Sequence, residues 1–277
     1  MDTITTILQY EFGQNALLAA IFASISCGLI GTYIVAKRIV FISGGITHAS
    51  FGGIGIGYYL GINPIIGAMV FGVLSALGVE FFTKKADMRE DSAIAMLWAL
   101  GMAVGIIFVY LTPGYAPNLM SYLFGNILLV SSFDLILMFL LTTIICLFFI
   151  FYLKMILFIS FDEEFARTNN APVKTFNIVL MSLIALTIVF NIKVVGIILV
   201  MSLLTIPQVI ANMFTRTFGV MMVLSVLFAF IGSVSGLILS YKLDIPSGAS
   251  IIFSLVLLFI IIKTISLLSL RIKRARI

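Results

Sequence analysis

Apolar residues run along this chain in blocks of about twenty, broken by short polar or charged gaps. Blocks of that length are what a helix needs to cross a hydrocarbon core of about 30 Å. The pattern predicts nine membrane-spanning helices, at 16–36, 39–60, 64–83, 92–111, 133–153, 175–190, 194–213, 218–241 and 247–270. A further apolar stretch at 119–130 is too short to span and reads as a re-entrant or interfacial helix. The predicted fold class is all-α: a polytopic helical membrane protein forming one transmembrane domain over 1–277, with no room for a separate soluble domain. No internal repeat stands out, and no low-complexity segment beyond the apolarity itself.

Charge orients these helices. With the acidic N-terminus outside, the inner loops hold Lys37, Arg38, Lys84, Lys85, Arg89, Lys154, Arg167, Lys174, Arg216, Arg271, Lys273, Arg274 and Arg276, and Lys263 can snorkel inward from the last span. Of the 16 basic residues only Lys193 and Lys242 fall outside. Such a bias is the positive-inside signature, and an odd number of crossings puts the C-terminus inside. The net charge of +5 thus reports topology in a lipid bilayer, not a nucleic-acid surface. Residues 1–14 carry Asp2 and Glu11 and no basic residue, so they do not read as a signal peptide. Cys27 and Cys146 fall inside apolar blocks and suggest small buried thiols, not a disulfide framework.

Inside this apolar frame one residue stands out. His48 is the only histidine, about 13 Å into the second predicted span. A titratable, metal-binding side chain at that depth marks a functional site. Around it, Gly45, Ala49, Gly53, Gly57 and Gly61 recur every four residues and make one smooth packing face. Gly44 and Gly52 flank His48 on the adjoining row. Two readings stay open: a close-packed helix whose histidine bonds a neighbouring carbonyl, or a polar group on a translocation path. Gly101-xxx-Gly105 and Gly232-xxx-Gly236 read as packing devices.

The longest inner loop, 160–172, reads as a short surface helix. Ser160 is its expected N-cap and Glu163 the partner in a capping box. Asp162, Glu163 and Glu164 suit the start of the helix dipole and Arg167 its end. Asn169 or Asn170 can take the left-handed closing conformation before Pro172, while Phe161 and Phe165 share a face. Acidic residues repel an anionic inner leaflet, which favours a docking element for a cytoplasmic protein.

Absences narrow the chemistry further. There is no phosphate-binding Gly-x-x-x-x-Gly-Lys-Ser/Thr loop, so the chain does not bind ATP in that way. A single histidine cannot build a multi-histidine zinc site within one chain. The predicted membrane interior has almost no carboxylate: Glu80 lies near an inner end, Asp134 and Asp244 at outer ends. That disfavours an ion-coupled secondary transporter. An intramembrane enzyme using His48 as base is the other alternative, with Ser202 or Thr47 as the available hydroxyls. Pro207 leaves the Leu203 carbonyl without its helical donor, to serve the path with Ser202 or Thr205 or merely to kink the helix.

Five segments, in order, carry a resemblance over essentially the whole length. They are Ser-Gly-Gly-Ile-Thr-His-Ala at 43–49, Ser-Tyr-Leu-Phe-Gly-Asn-Ile-Leu at 121–128 and Phe-Asp-Glu-Glu-Phe-Ala-Arg at 161–167. Val-Gly-Ile-Ile-Leu-Val at 195–200 with Leu-Leu-Thr-Ile-Pro-Gln-Val-Ile-Ala at 203–211, and Ile-Pro-Ser-Gly-Ala at 245–249, complete the set. The chain resembles the permease subunit of bacterial ABC importers for zinc, manganese or iron. The resemblance implies a homodimeric, multi-pass permease of the bacterial cytoplasmic (inner) membrane. It also implies two cytoplasmic ATPase subunits that bind ATP, an external metal-binding protein that delivers the ion, and no permanently bound cofactor. It makes 161–170 the coupling helix, with Phe161, Asp162, Glu163, Glu164, Phe165 and Arg167 facing the ATPase, and His48 the metal ligand of the path. The chain is then not itself an enzyme. One departure matters: the family usually carries aspartate four residues before that histidine, where this chain has Gly44. Imidazole without carboxylate favours zinc or iron over manganese.

Overall fold

The computed structural model describes residues 9–113, 125 and 127–275, and the described residues form eleven α-helices and one 3-10 turn. In chain order the helices are α1 (Glu11–Ala36), α2 (Phe41–Tyr59), α3 (Pro64–Lys85), α4 (Glu90–Leu111), α5 (Ser132–Phe161) and α6 (Glu163–Thr168). They continue as α7 (Val173–Val195), α8 (Ile197–Leu203), α9 (Ile206–Ala211), α10 (Phe218–Leu243) and α11 (Ser247–Ala275). Seven of them, α1, α3, α4, α5, α7, α10 and α11, are long and apolar enough to cross a membrane. Of the expected re-entrant segment 119–130, most lies outside the described residues; Ile127–Leu129 forms the 3-10 turn. Most of the 112–118 loop and Arg276 lie outside them too.

The ends of these helices follow from local chemistry. Asn63 caps α3 by accepting from the Ile65 N–H at 3.0 Å, with Pro64 in the first helical position, where a missing N–H costs nothing. Ser131 and Asp134 form a reciprocal capping box at the start of α5. Asp244 closes α10 in the left-handed conformation, φ 52°. Gly196, at φ 84° and ψ 162°, separates α7 from α8 with a backbone that a side chain would strain.

The predicted span at 194–213 is not one helix. It divides into α8 and α9, and its first two residues belong to α7. Gly196 and Pro207 supply the reason: one turns the chain, and the other lacks the N–H that would bond the Leu203 carbonyl. That carbonyl is satisfied elsewhere. The Gln208 side-chain amide donates to it at 3.1 Å and to the Cys27 carbonyl of α1 at 2.9 Å. The break is thus stitched to α1 by a fully buried glutamine, and neither Ser202 nor Thr205 is needed to complete it.

Helix α2 packs most extensively against α4 and α3, which makes these three one unit. A second group joins α10 to α1, α9 and α11, while α7 bridges α3 and α5. The polar ends sort into two layers. At one end Lys84, Lys85, Arg167 and Lys174 line a common cleft, and Lys37 reaches the Ile159 carbonyl at 3.4 Å. At the opposite end Lys193 of α7 pairs with Asp134 of α5. This pair accounts for one of the two cations that break the charge rule: Lys193 is committed to an acid whose remaining oxygen serves the capping box.

Candidate functional site around His48

Small residues allow α2 to lie between its neighbours. A Cβ on Gly53 would run into the Gly67 carbonyl of α3, and one on Gly67 into the Gly53 carbonyl, so the two backbones touch. Gly57 meets Pro64 Cα at 2.7 Å, and Gly45 meets the Ile94 side chain of α4. Gly101 and Gly105 of α4 close on the backbone at Ala49 and Phe51, and Gly232 and Gly236 of α10 meet Leu255 and Ile251 of α11. Gly61 is a correction. It lies beyond α2 at φ 67° with open space around it, so it makes a turn and no helix contact. The four-residue period ran on past the end of the helix.

His48 projects from this unit, half-buried. Its ring lies flat on Trp98 of α4, with centroids 4.3 Å apart and planes 4° from parallel. The chain's one histidine and one tryptophan therefore form a single stack. Stacking fixes the ring plane, and its nitrogens can only be approached edge-on. Nδ1 is buried and has no hydrogen-bond partner among the described residues. A buried imidazole nitrogen without a partner is costly unless something else bonds it.

The space beside the stack belongs to Met201 of α8. A Cβ on Gly44 would lie 3.0 Å from Met201 Cε and 3.6 Å from Trp98 Cζ3. In this chain a thioether methyl stands next to the position where the resembled family carries a carboxylate. Residue-type rules single out neither Trp98 nor Met201, because aromatic and thioether side chains are ordinary inside a membrane. The tryptophan's uniqueness was the available signal.

The hydroxyls that an enzyme reading needs are engaged elsewhere. Thr47 donates to the Ser43 carbonyl, and Ser202 donates to the Ile198 carbonyl at 3.1 Å. Among the described residues no group of three or more His, Cys, Asp or Glu side chains is placed to hold a metal ion. A cation at His48 therefore needs further ligands from outside this set.

The second candidate site is α6. Its N-cap is Asp162, whose carboxylate accepts from the Phe165 N–H at 2.8 Å; this corrects the expectation of Ser160, which remains inside the longer α5. Asn170 closes the loop at φ 56°. Ala166 is fully buried against Ile159 and Val173, which seats α6 on α5 and α7. Phe161 and Phe165 stay 83% and 56% exposed, and Glu164 and Arg167 are exposed as well. Glu163 alone among these acids turns inward. Burial pushes its carboxyl up, but bonds from Lys84 and Arg167 outweigh burial and hold it below the usual carboxylate range.

The model of the ABC 3 transport family matches residues 9–266. The chain is 34% identical over 246 residues to a manganese transport system membrane protein of Halalkalibacterium halodurans, covering 89% of this chain and 84% of that one. It is also 34% identical over 270 residues to a probable iron transport system membrane protein of Haemophilus influenzae, covering 98% and 99%. Among solved structures, PsaBC from Streptococcus pneumoniae in complex with Fab superposes with a TM-score of 0.83 at 30% identity, covering 94% of each chain. A multi-pass helical chain with a whole-length family match is thereby placed: it belongs to the ABC 3 transport family.

Proposed function

We propose that this chain is the membrane-spanning permease of an ATP-driven importer for a divalent transition metal, with His48 as a transient ligand on the path. The observation that carries the reading is the unpartnered Nδ1 of His48, whose ring is held face-to-face against Trp98, with no mid-membrane acid beside it among the described residues. Support comes from the family and from relatives named for manganese and iron transport. In this reading α2 and the α8–α9 pair complete nine crossings, with the N-terminus outside and the C-terminus inside. Residues 1–277 act as one domain in the bacterial inner membrane. Two copies meet about a two-fold axis, so that two His48 side chains face one path. Two imidazoles bind a divalent ion weakly enough for transit. An external metal-binding protein delivers the ion, and two ATPase subunits bind ATP and dock on α6.

Imidazole nitrogen favours zinc or ferrous iron, whereas manganese prefers carboxylate oxygen. The test is uptake of zinc, iron and manganese by cells expressing the chain with its partners. Gly44→Asp adds a carboxylate and displaces Met201. Uptake of manganese relative to zinc then rises by about tenfold, the lower range for altering one supporting group at a metal site. An unchanged ratio contradicts the assigned role of position 44. Absence of ATP-dependent uptake of all three metals by the wild type contradicts the permease reading itself.

A further inference from the structure

Glu163 does not point where a docking residue should. Its Oε1 accepts from Lys84 Nζ and Arg167 at 2.7 Å each and from Asn177 at 3.4 Å. Lys84, in the last turn of α3, is held on its other side by Glu80 at 3.0 Å. Both charges are thus spent within the chain, while Phe161, Glu164 and Phe165 are exposed. From Lys84, α3 runs without a break back to Gly67. There its backbone meets Gly53 of α2 with no side chain between them to absorb a displacement. Gly53 is little more than one turn from His48.

We propose that the Glu163–Lys84 pair is a strut that transmits movement of α6 through α3 to the His48 helix, so that both are positioning residues rather than ATPase contacts. This rests on the permease reading above. The energetics agree with a transmitting role. A partly exposed ion pair contributes little to stability, so its removal spares the fold. What changes is the link between two moving bodies. A route through packed helices and one ion pair is a physical connection only if it biases a two-state element, and that is what the test must read.

The experiment uses the complete transporter, purified through this chain and reconstituted in proteoliposomes, with zinc and manganese ions as cargo. Lys84→Met, Glu163→Ala, the double variant, Lys84→Arg and Glu164→Ala are compared. In the first two, the ATPase subunit co-purifies at the wild-type level and hydrolysis persists, but metal carried per ATP falls by about fivefold to tenfold. The double variant is no worse than either single, as expected for one shared interaction. Lys84→Arg stays near wild type, and Glu164→Ala loses ATPase subunit from the complex. Wild-type metal per ATP in both single variants overturns the strut. So does loss of the ATPase subunit in Glu163→Ala, which makes Glu163 a docking residue, or additive losses in the double variant. Failure of the permease reading looks different: the wild-type complex itself then moves no metal with ATP.

Discussion

Replacing His48 with alanine lowers metal uptake by at least about tenfold while the chain still folds and assembles. Altering a group that merely supports a metal ligand costs about 10–100-fold, so removing the ligand itself should cost no less. Folding should survive because the variant deletes a nitrogen that has no partner to lose. What it gives up is one face-to-face contact with Trp98, worth about 0.5–1.5 kcal/mol. His48→Phe separates the two roles. It keeps a ring against Trp98 but has no nitrogen, so it should match wild type in thermal unfolding and match His48→Ala in uptake. Uptake at the wild-type level in His48→Phe would show that the imidazole does not bind the ion. A shift of the melting curve in His48→Phe as large as that in His48→Ala would show that ring stacking contributes nothing.

Gly53→Val should be the most damaging substitution in the membrane domain. Overpacking a core usually costs about 1–3 kcal/mol because side chains move aside. At Gly53 the obstacle is the Gly67 carbonyl, part of a helix backbone that has no rotamer to change. Helices α2 and α3 must separate, and each buries its polar backbone less well for doing so. The expected cost exceeds about 3 kcal/mol, enough to prevent accumulation of folded protein. The other glycines give a graded control. Gly45→Ala adds a single methyl that meets the Ile94 Cγ2 methyl and not a helix backbone, and should cost less. Gly61→Ala meets nothing but forces a side chain into a positive-φ turn, for about 1 kcal/mol. Thermal unfolding in detergent should rank the three in that order. Equal losses at Gly53 and Gly61 would mean that the close approach of α2 and α3 does not matter.

Most of the helical frame is readable from the chain because a bilayer imposes its own arithmetic. A segment must be apolar for about 20 residues or it does not cross, and seven such helices stand close to where the blocks place them. The misses have particular causes. Block length says nothing about continuity, so the fold into α8 and α9 needed Gly196 and Pro207 to be weighed above apolarity. Period alone extended the glycine stripe to Gly61, two residues after α2 had ended. In the loop, Ser160 and Asp162 both carry side chains that can cap a helix, and α5 decided the matter by continuing through Ser160. His48 was legible because charge is rare in lipid. Trp98 and Met201 were not, since nothing in their chemistry distinguishes a site from a core until the helices are placed side by side. The inward turn of Glu163 depended on Lys84, 79 residues away, and no local pattern carries that information.

The stack of His48 on Trp98 also gives the chain an optical property. All of its indole fluorescence originates from one ring, and that ring lies against the imidazole proposed to meet the cargo. A cation arriving at the imidazole changes the electronic surroundings of the only tryptophan in the polypeptide. The permease therefore carries its own fluorophore at the point of interest, and it needs neither a label nor a background tryptophan removed.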